Sequence, residues 1–343
     1  MKTIRLGKTN LVVSRIGIGG IPIQRPNDED AIKVIQRALD LGITFIDTAY
    51  GYTVSEERVG KAIAGRRDKV VIATKGGWRS KEIVLEHINT SLKRMNIDYI
   101  DIWQFHNVST EEAFEGLFKE GGAMEGAKIA LEEGKIKHLG LSSHSVEIAI
   151  KAAKSGFFEV IQFPLNFISD HALDELIPLV KKNDIGFIAM KPFAGGNIRK
   201  ANLAIKYLLQ FDNVIPDPGV EKIEEVEELV EIVNGSWVIS QGERTEMEQI
   251  SSELGTKFCR QCGYCQPCPE NIQISMIMIT KIMWKLWPKD FLQGGWFAKA
   301  METGKNCKKC GDCESRCPYN LEIRDMIEDN IQFYEENIAK TKS

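Results

Sequence analysis

Eight cysteines, all that the chain has, fall in the last quarter of its 343 residues as two tight runs: Cys259, Cys262, Cys265 and Cys268 before Pro269, then Cys307, Cys310, Cys313 and Cys317 before Pro318. A C-x2-C-x2-C turn wraps three thiolate sulfurs around one compact inorganic cluster. A proline after the fourth cysteine turns the chain away, so that this sulfur reaches a different cluster. A segment of this size buries too little apolar surface to fold alone, and ligation supplies the missing stability. Two such runs predict two [4Fe-4S] centres with exchanged fourth ligands: Cys259, Cys262 and Cys265 with Cys317, and Cys307, Cys310 and Cys313 with Cys268. Zinc favours two separated C-x2-C pairs in a tetrahedron, and a disulfide framework belongs to small secreted domains, so iron and sulfur fit the spacing best.

The pattern resembles a bacterial-type dicluster ferredoxin module. The second run has the full C-x2-C-x2-C-x3-C-P spacing, whereas the first is one residue shorter before Cys268.

The rest of the chain reads differently. Short β-rich runs alternate with amphipathic helical stretches from the N-terminus to about residue 234, the signature of parallel βα units. After an opening hairpin, eight strands are expected at Ile16–Gly19, Thr44–Asp47, Val70–Thr74, Tyr99–Trp103, Lys137–Leu141, Val160–Phe163, Gly186–Met190 and Asn213–Ile215. Helical stretches run from Asp28 to Leu41, Ser55 to Ala64, Lys81 to Met95, Val146 to Lys154, Leu173 to Lys182 and Glu221 to Val233. Eight strands with intervening helices predict an α/β TIM (β/α)8 barrel over residues 1–236, followed by a small α-rich dicluster ferredoxin-like domain over 237–343. Between the cysteine runs, Ile274 to Trp287 predicts a helix packed on the barrel or the clusters, with a lid over the active site as the alternative. Met326, Ile327, Ile331, Tyr334 and Ile338 share one face of a C-terminal helix that docks.

In such a barrel, residues at the C-terminal strand ends and in the following loops converge on one mouth. Asp47 and Tyr52 follow the second strand, Lys75 the third and His106 the fourth. Singly, each has an ordinary structural explanation. Together they suit hydride reduction of an aldehyde or ketone. A phenol of ordinary pKa, about 10, is a poor proton donor unless a cation stabilises its phenolate. Lys75 is that cation, Asp47 holds the ammonium, His106 orients the carbonyl and Tyr52 protonates its oxygen.

Phe45-Ile46-Asp47-Thr48-Ala49-Tyr50-Gly51-Tyr52 with Ser55-Glu56 and Val59-Gly60, then Ala73-Thr74-Lys75, Ser91-Leu92-Lys93-Arg94 and Asp98-Tyr99-Ile100-Asp101 ending at His106, resembles the aldo/keto reductase family over roughly the first two-thirds of the chain. Joined to the cysteine runs, the whole resembles the subgroup with a C-terminal dicluster domain. The resemblance implies a nicotinamide cofactor, NAD(P)H, lying extended across the barrel mouth without a Rossmann domain. It assigns cofactor contacts to Gly20, Ile21, Ser142, Ser143, Gln162, Met190, Lys191 and Gly219. Ser142, Ser143 and Gln162 hold the carboxamide, Ser143 standing where an Asn is usual, and Met190 stands where many members have a stacking aromatic. After the eighth strand, Glu224, Glu225, Glu227 and Glu228 follow Lys222, in place of the basic cluster that grips a 2'-phosphate, so NADPH and NADH both stay open.

Hydride carries two electrons and each cluster exchanges one, so coupling them needs an intermediary that is stable after a single transfer. A flavin in the same mouth is the alternative cofactor that meets this need. With nicotinamide alone, the clusters are structural, a redox sensor, or a relay to an external ferredoxin or other redox partner. An electron carrier whose barrel is only a docking scaffold is the competing reading. The substrate class is a small carbonyl compound or alcohol. A net charge of −4 without a basic stripe argues against nucleic acid. The absence of a long apolar run argues against a membrane span and, with the free cysteines, for a cytoplasmic setting.

Overall fold

The computed structural model describes residues 1–342. The chain divides into two compact units between Arg244 and Thr245, a little beyond the Asn234-Gly235-Ser236 break. Residues after that break stay with the first unit because Trp237 packs against its core and stacks under the Lys2 ammonium, while Glu243 pairs with Lys206 at 2.8 Å.

In the first unit an antiparallel hairpin, β1 (Thr3–Arg5) and β2 (Val12–Ser14), precedes eight parallel strands. These are β3 (Ile18–Gly19), β4 (Phe45–Asp47), β5 (Val71–Gly76), β6 (Ile100–Phe105), β7 (Ile136–Ser142), β8 (Val160–Pro164), β9 (Gly186–Met190) and β10 (Val214–Asp217). Each of the eight pairs with the next in chain order. The ring closes where Gly17 N donates to Pro216 O (2.9 Å), Gly19 N donates to Pro218 O (2.8 Å) and Gly19 bridges Gly219. This is the expected (β/α)8 barrel. Its strands read as apolar runs because helices cover the outside while side chains fill the inside.

Inside, Phe45, Ile102, Val160 and Ile215 come from the alternate strands β4, β6, β8 and β10 and form a buried layer with Leu6 and Val13 of the hairpin. Side chains on a strand repeat with period two, so the residues two positions further on also face inward. They are Asp47, Gln104, Gln162 and Asp217, all buried. An apolar floor thus carries a polar layer at the mouth, in the alternate-strand layering of such barrels. Intervening strands leave room for it. A Cβ on Gly17 would stand 2.4 Å from the Phe45 ring, and one on Gly140 would stand 2.9 Å from Val160 O and 3.1 Å from Gln104 Cγ.

The outer helices begin on side-chain caps. Asn27, Ser80 and Ser145 accept the backbone N–H of Asp30, Ile83 and Ile148 at the starts of Asp28–Asp40, Lys81–Met95 and Val146–Ser155, satisfying donors that have no partner within the helix. The stretch expected from Leu173 begins as a 3₁₀ turn at His171–Leu173 and becomes helix only over Leu176–Lys182. Three further helices, Glu111–Gly116, Ala123–Glu132 and Ala201–Leu209, lie in the β6–β7 and β9–β10 connections.

The second unit begins within the helix Gln241–Leu254. Its insert forms two short helices, Ile274–Ile277 and Thr280–Leu286, where the sequence suggests one over Ile274 to Trp287, and a third, Lys289–Leu292, beyond that stretch. At the first break the Thr280 hydroxyl takes Ile277 O at 2.6 Å; at the second stands Pro288, which has no N–H to continue a helix. Helices Gly295–Gly304, Asp312–Ser315 and Ile323–Lys342 complete the unit. Ile277, Leu292, Phe297, Met301 and Ile327 share one apolar cluster with Cys265 and Cys313, so the insert packs with the cysteines. The C-terminal helix docks as its pattern predicts. Ile327, Ile331 and Tyr334 are buried, Met326 and Ile338 pack at the margin, and Tyr334 Oη donates to Leu292 O at 2.8 Å. Among the described residues no helix is long and apolar enough to cross a membrane.

Candidate active site and cysteine centres

The strand ends bring Asp47, Tyr52, Lys75 and His106 together. Lys75, the penultimate residue of β5, is buried and pairs with Asp47 at the end of β4. Its Nζ also donates to Thr48 O at 2.9 Å, and Gln104 Nε2 donates to the other Asp47 oxygen at 3.1 Å. Tyr52 lies in the loop after β4, with the ammonium 5.2 Å from its ring centroid. The His106 ring meets that of Tyr52 edge-on, centroids 5.9 Å apart at 83°. Trp78 Nε1 holds the His106 carbonyl at 2.9 Å.

Burial pulls the Lys75 pKa down, but the Asp47 carboxylate paired with it holds it above its ordinary value, so the ammonium persists. His106 is pushed down to about 3 by burial and by Lys75, which leaves a neutral imidazole able to donate one hydrogen bond. Tyr52 departs from the sequence expectation. Burial raises its pKa, and Lys75 opposes this through charge and a hydrogen bond without overturning it. Removing a phenolate from water costs more here than one neighbouring cation returns, so Tyr52 rests as the protonated phenol.

The positions assigned to cofactor contacts lie around the same mouth. Gly20 N donates to Asp47 O at 2.7 Å, beside Ile21, and Gly219 faces Gly19 across the closing strands. Met190 ends β9 and Lys191 follows it with left-handed backbone. Ser142 Oγ accepts from Asn107 N at 2.8 Å, and Ser143 Oγ is engaged with both N and O of Ser145 at 3.1 Å, so the first hydroxyl serves the loop that follows β6 and the second the loop that follows β7. Gln162 differs: its Nε2 donates to Asp217 Oδ2 at 3.3 Å, and its buried Oε1 has no partner among the described residues.

Gln104 and Asp217 fall outside the sequence motifs. The signal was the strand period itself, since each stands two residues beyond an inward apolar side chain, Ile102 and Ile215.

In the second unit Cys268, Cys307, Cys310 and Cys313 line one cavity of about 90 Å³ together with Ile272, Ile274 and Ile327. The shorter spacing before Cys268 therefore does not keep it from the other run. Arg316 ties the runs together, its Nη2 donating to Cys265 O and Pro267 O, each at 2.9 Å. Burial raises the Cys262 thiol, and so does Cys317; Cys265 is pushed up to about 12 by burial and then by Cys259 and Cys262. Arg260 is buried beside these residues, its guanidinium 3.9 Å from the Tyr319 ring centroid. Four cysteines lining one cavity are the residue types a thiolate-ligated cluster requires.

Residues 15–203 match the family model of the aldo/keto reductases. The chain belongs to that family. Residues 258–322 of this aldo/keto reductase match the model of the 4Fe-4S dicluster domain, so an oxidoreductase barrel and an iron-sulfur module stand in one chain. Among curated relatives, aldo-keto reductase YhdN of Bacillus subtilis is 28% identical over 303 residues, 79% of this chain and 88% of its own length. Among solved structures, aldo-keto reductase AKR11C1 from Bacillus halodurans superposes with a TM-score of 0.61 at 25% identity, covering 73% of this chain and 96% of that one. An aldo/keto reductase from Klebsiella pneumoniae, solved in complex with NADP and acetate, shares the fold with a TM-score of 0.63 at 22% identity, over 73% of this chain and 95% of its own.

Proposed function

We propose that the barrel reduces, or in the reverse direction forms, a small aldehyde or ketone, with Tyr52 as general acid and base. The contact of the Tyr52 phenol with the Lys75 ammonium carries this reading. When bound, a nicotinamide dinucleotide supplies the hydride and the [4Fe-4S] clusters supply single electrons. His106, neutral at physiological pH, holds the carbonyl oxygen by an N–H donor. Tyr52 gives that oxygen its proton as negative charge grows there, and Lys75, kept cationic by Asp47, stabilises the phenolate left behind. The raised Tyr52 pKa is compatible with this role, because the acid must carry its proton until charge develops on the substrate.

The unpaired Gln162 Oε1 suits one N–H of a nicotinamide carboxamide. Gly20, Ile21, Ser142, Ser143, Met190, Lys191 and Gly219 would border the same cofactor. NADP is the ligand named for the Klebsiella neighbour. In this chain Glu225 Oε2 already accepts the backbone N–H of Glu221 (2.8 Å) and Lys222 (3.2 Å), and Arg25 is paired with Glu221. These groups are committed to one another, and NADH is the expected partner alongside NADPH. For the clusters the proposed sets are Cys259, Cys262, Cys265 and Cys317, and Cys307, Cys310, Cys313 and Cys268. Both would exchange electrons with an external ferredoxin or similar redox protein, or with a flavin if one occupies the mouth.

Tyr52→Phe tests the reading. Loss of about 10²–10⁴-fold in aldehyde turnover is expected, with the cluster absorbance unchanged; turnover at the parent rate would remove Tyr52 from the chemistry. Anaerobic purification with iron, sulfide, flavin and nicotinamide analysis fixes the cofactor set.

A further inference from the structure

Asp217 is a buried carboxyl for which the mechanism above has no use. It ends β10 and closes the polar layer of Asp47, Gln104, Gln162 and Asp217. Gly19, on the adjoining strand, leaves the space it needs: a Cβ there would stand 3.4 Å from both carboxyl oxygens. Gln162 Nε2 donates to Oδ2 at 3.3 Å, while Oδ1 has no donor among the described residues. Asp47, in the same polar layer, acts on this carboxyl through its charge. Two buried carboxyls that face one ammonium between them hold one negative charge and one proton, as in carboxyl dyads that share one. Asp47 is paired directly with the Lys75 ammonium and accepts from Gln104, so it keeps the charge and Asp217 keeps the proton. Burial and the neighbouring Asp47 charge push the Asp217 carboxyl well above its ordinary range, against the pull of Lys75. The charged or titratable groups that face it are Asp47 from β4, Lys75 from β5 and Tyr52 from the loop between them.

Resting on the assignment of Tyr52 as the acid, we propose that Asp217 is a resident carboxylic acid whose proton reloads Tyr52, by way of Asp47 and Lys75, after each carbonyl reduction. Lys75 passes an ammonium proton to the Tyr52 phenolate and regains one from Asp47. Asp47 takes the Asp217 proton, and the Asp217 carboxylate is reprotonated from water. Each cycle consumes one solvent proton and leaves every side chain as it began. Asp217 touches no reacting atom and acts through the residues in front of it.

Two measurements on the full chain with its clusters test this. Infrared spectroscopy at neutral pH should show a protonated-carboxyl C=O band that shifts in deuterium oxide and is missing in Asp217→Asn. Its absence from the parent protein, or its survival in the variant, overturns the resident acid. Rapid-quench reduction of an aromatic aldehyde by reduced nicotinamide should show later turnovers of Asp217→Asn slowed at least tenfold relative to its first. A uniform rate across turnovers overturns the relay. Asp217→Glu, which keeps the acid, should restore both band and later turnovers, and it decides the matter if the Asn variant does not fold. Tyr52→Phe separates the two assignments. A first turnover at the parent rate in that variant, or a parent protein inert to the aldehyde, sinks the Tyr52 reading and the relay with it, while the infrared band still decides the acid.

Discussion

In the barrel unit Asp47, Gln104, Gln162 and Asp217 are carried on strands whose backbone groups are already paired with their neighbours, above an apolar floor that needs nothing bound to hold it. The cysteines of the second unit sit mostly on irregular loops where Gln261, Gly263, Asn271, Lys309 and Gly311 adopt left-handed backbone, and Cys265 and Cys313 are themselves part of the apolar cluster. Burial fixes one site from beneath; the other has chelating side chains where a core would otherwise continue. From this contrast we expect the barrel to stand on hydrophobic packing alone and the cysteine module to need ligation in addition to its own apolar cluster.

Stripping iron with a chelator under anaerobic conditions is the strongest way to break that contrast. The second unit should lose its helical order while the barrel keeps its own calorimetric transition in the full chain. A single transition in which both are lost together would show that the barrel also depends on metal. Lys75→Met comes next. Removing one partner of a buried ion pair leaves Asp47 charged and uncompensated at a cost of about 3–5 kcal/mol, so the barrel transition should fall and aldehyde turnover should collapse, with the cluster spectrum untouched. The smallest effect is a pH dependence. His106 is held near 3 in the folded barrel against about 6.5 in an unfolded chain. Between those values the unfolded state binds the extra proton, so this residue's contribution to stability falls as pH drops from about 6.5 towards about 3. His106→Gln should flatten the barrel's acid limb in a pH series of thermal melts and leave the cluster-linked transition where it was; an unaltered limb would mean that the imidazole is not buried neutral.

All eight barrel strands are visible in the sequence, because strands buried on both faces read as unbroken apolar runs such as Gly186–Met190. The helices Glu111–Gly116 and Ala123–Glu132 were obscured by Gly116, Gly121, Gly122 and Gly126, which interrupt the helical period. Gly126 is needed for packing, since a Cβ there would lie 2.8 Å from Lys81 O. At the mouth, Asp47, Tyr52, Lys75 and His106 could be recognised because they fall in recognisable motifs. Gln104 and Asp217 could not, because both lie beyond the strand ends read from the sequence, Trp103 and Ile215, and only the observed strands, which run on to Phe105 and Asp217, carry them inward. The direction of the Tyr52 shift was equally hidden, since sequence names the neighbouring charge but not the depth at which the phenol sits.

Cys268 and the second cysteine run line one cavity, and this bears on how the protein is made. When the first run leaves the ribosome, its last sulfur faces a wall that does not yet exist, for Cys307 follows only after the helical insert has been synthesised. With the ligand sets proposed above, the nascent module would pass through an interval of bare thiols, and neither set would be complete until both runs are out of the exit tunnel.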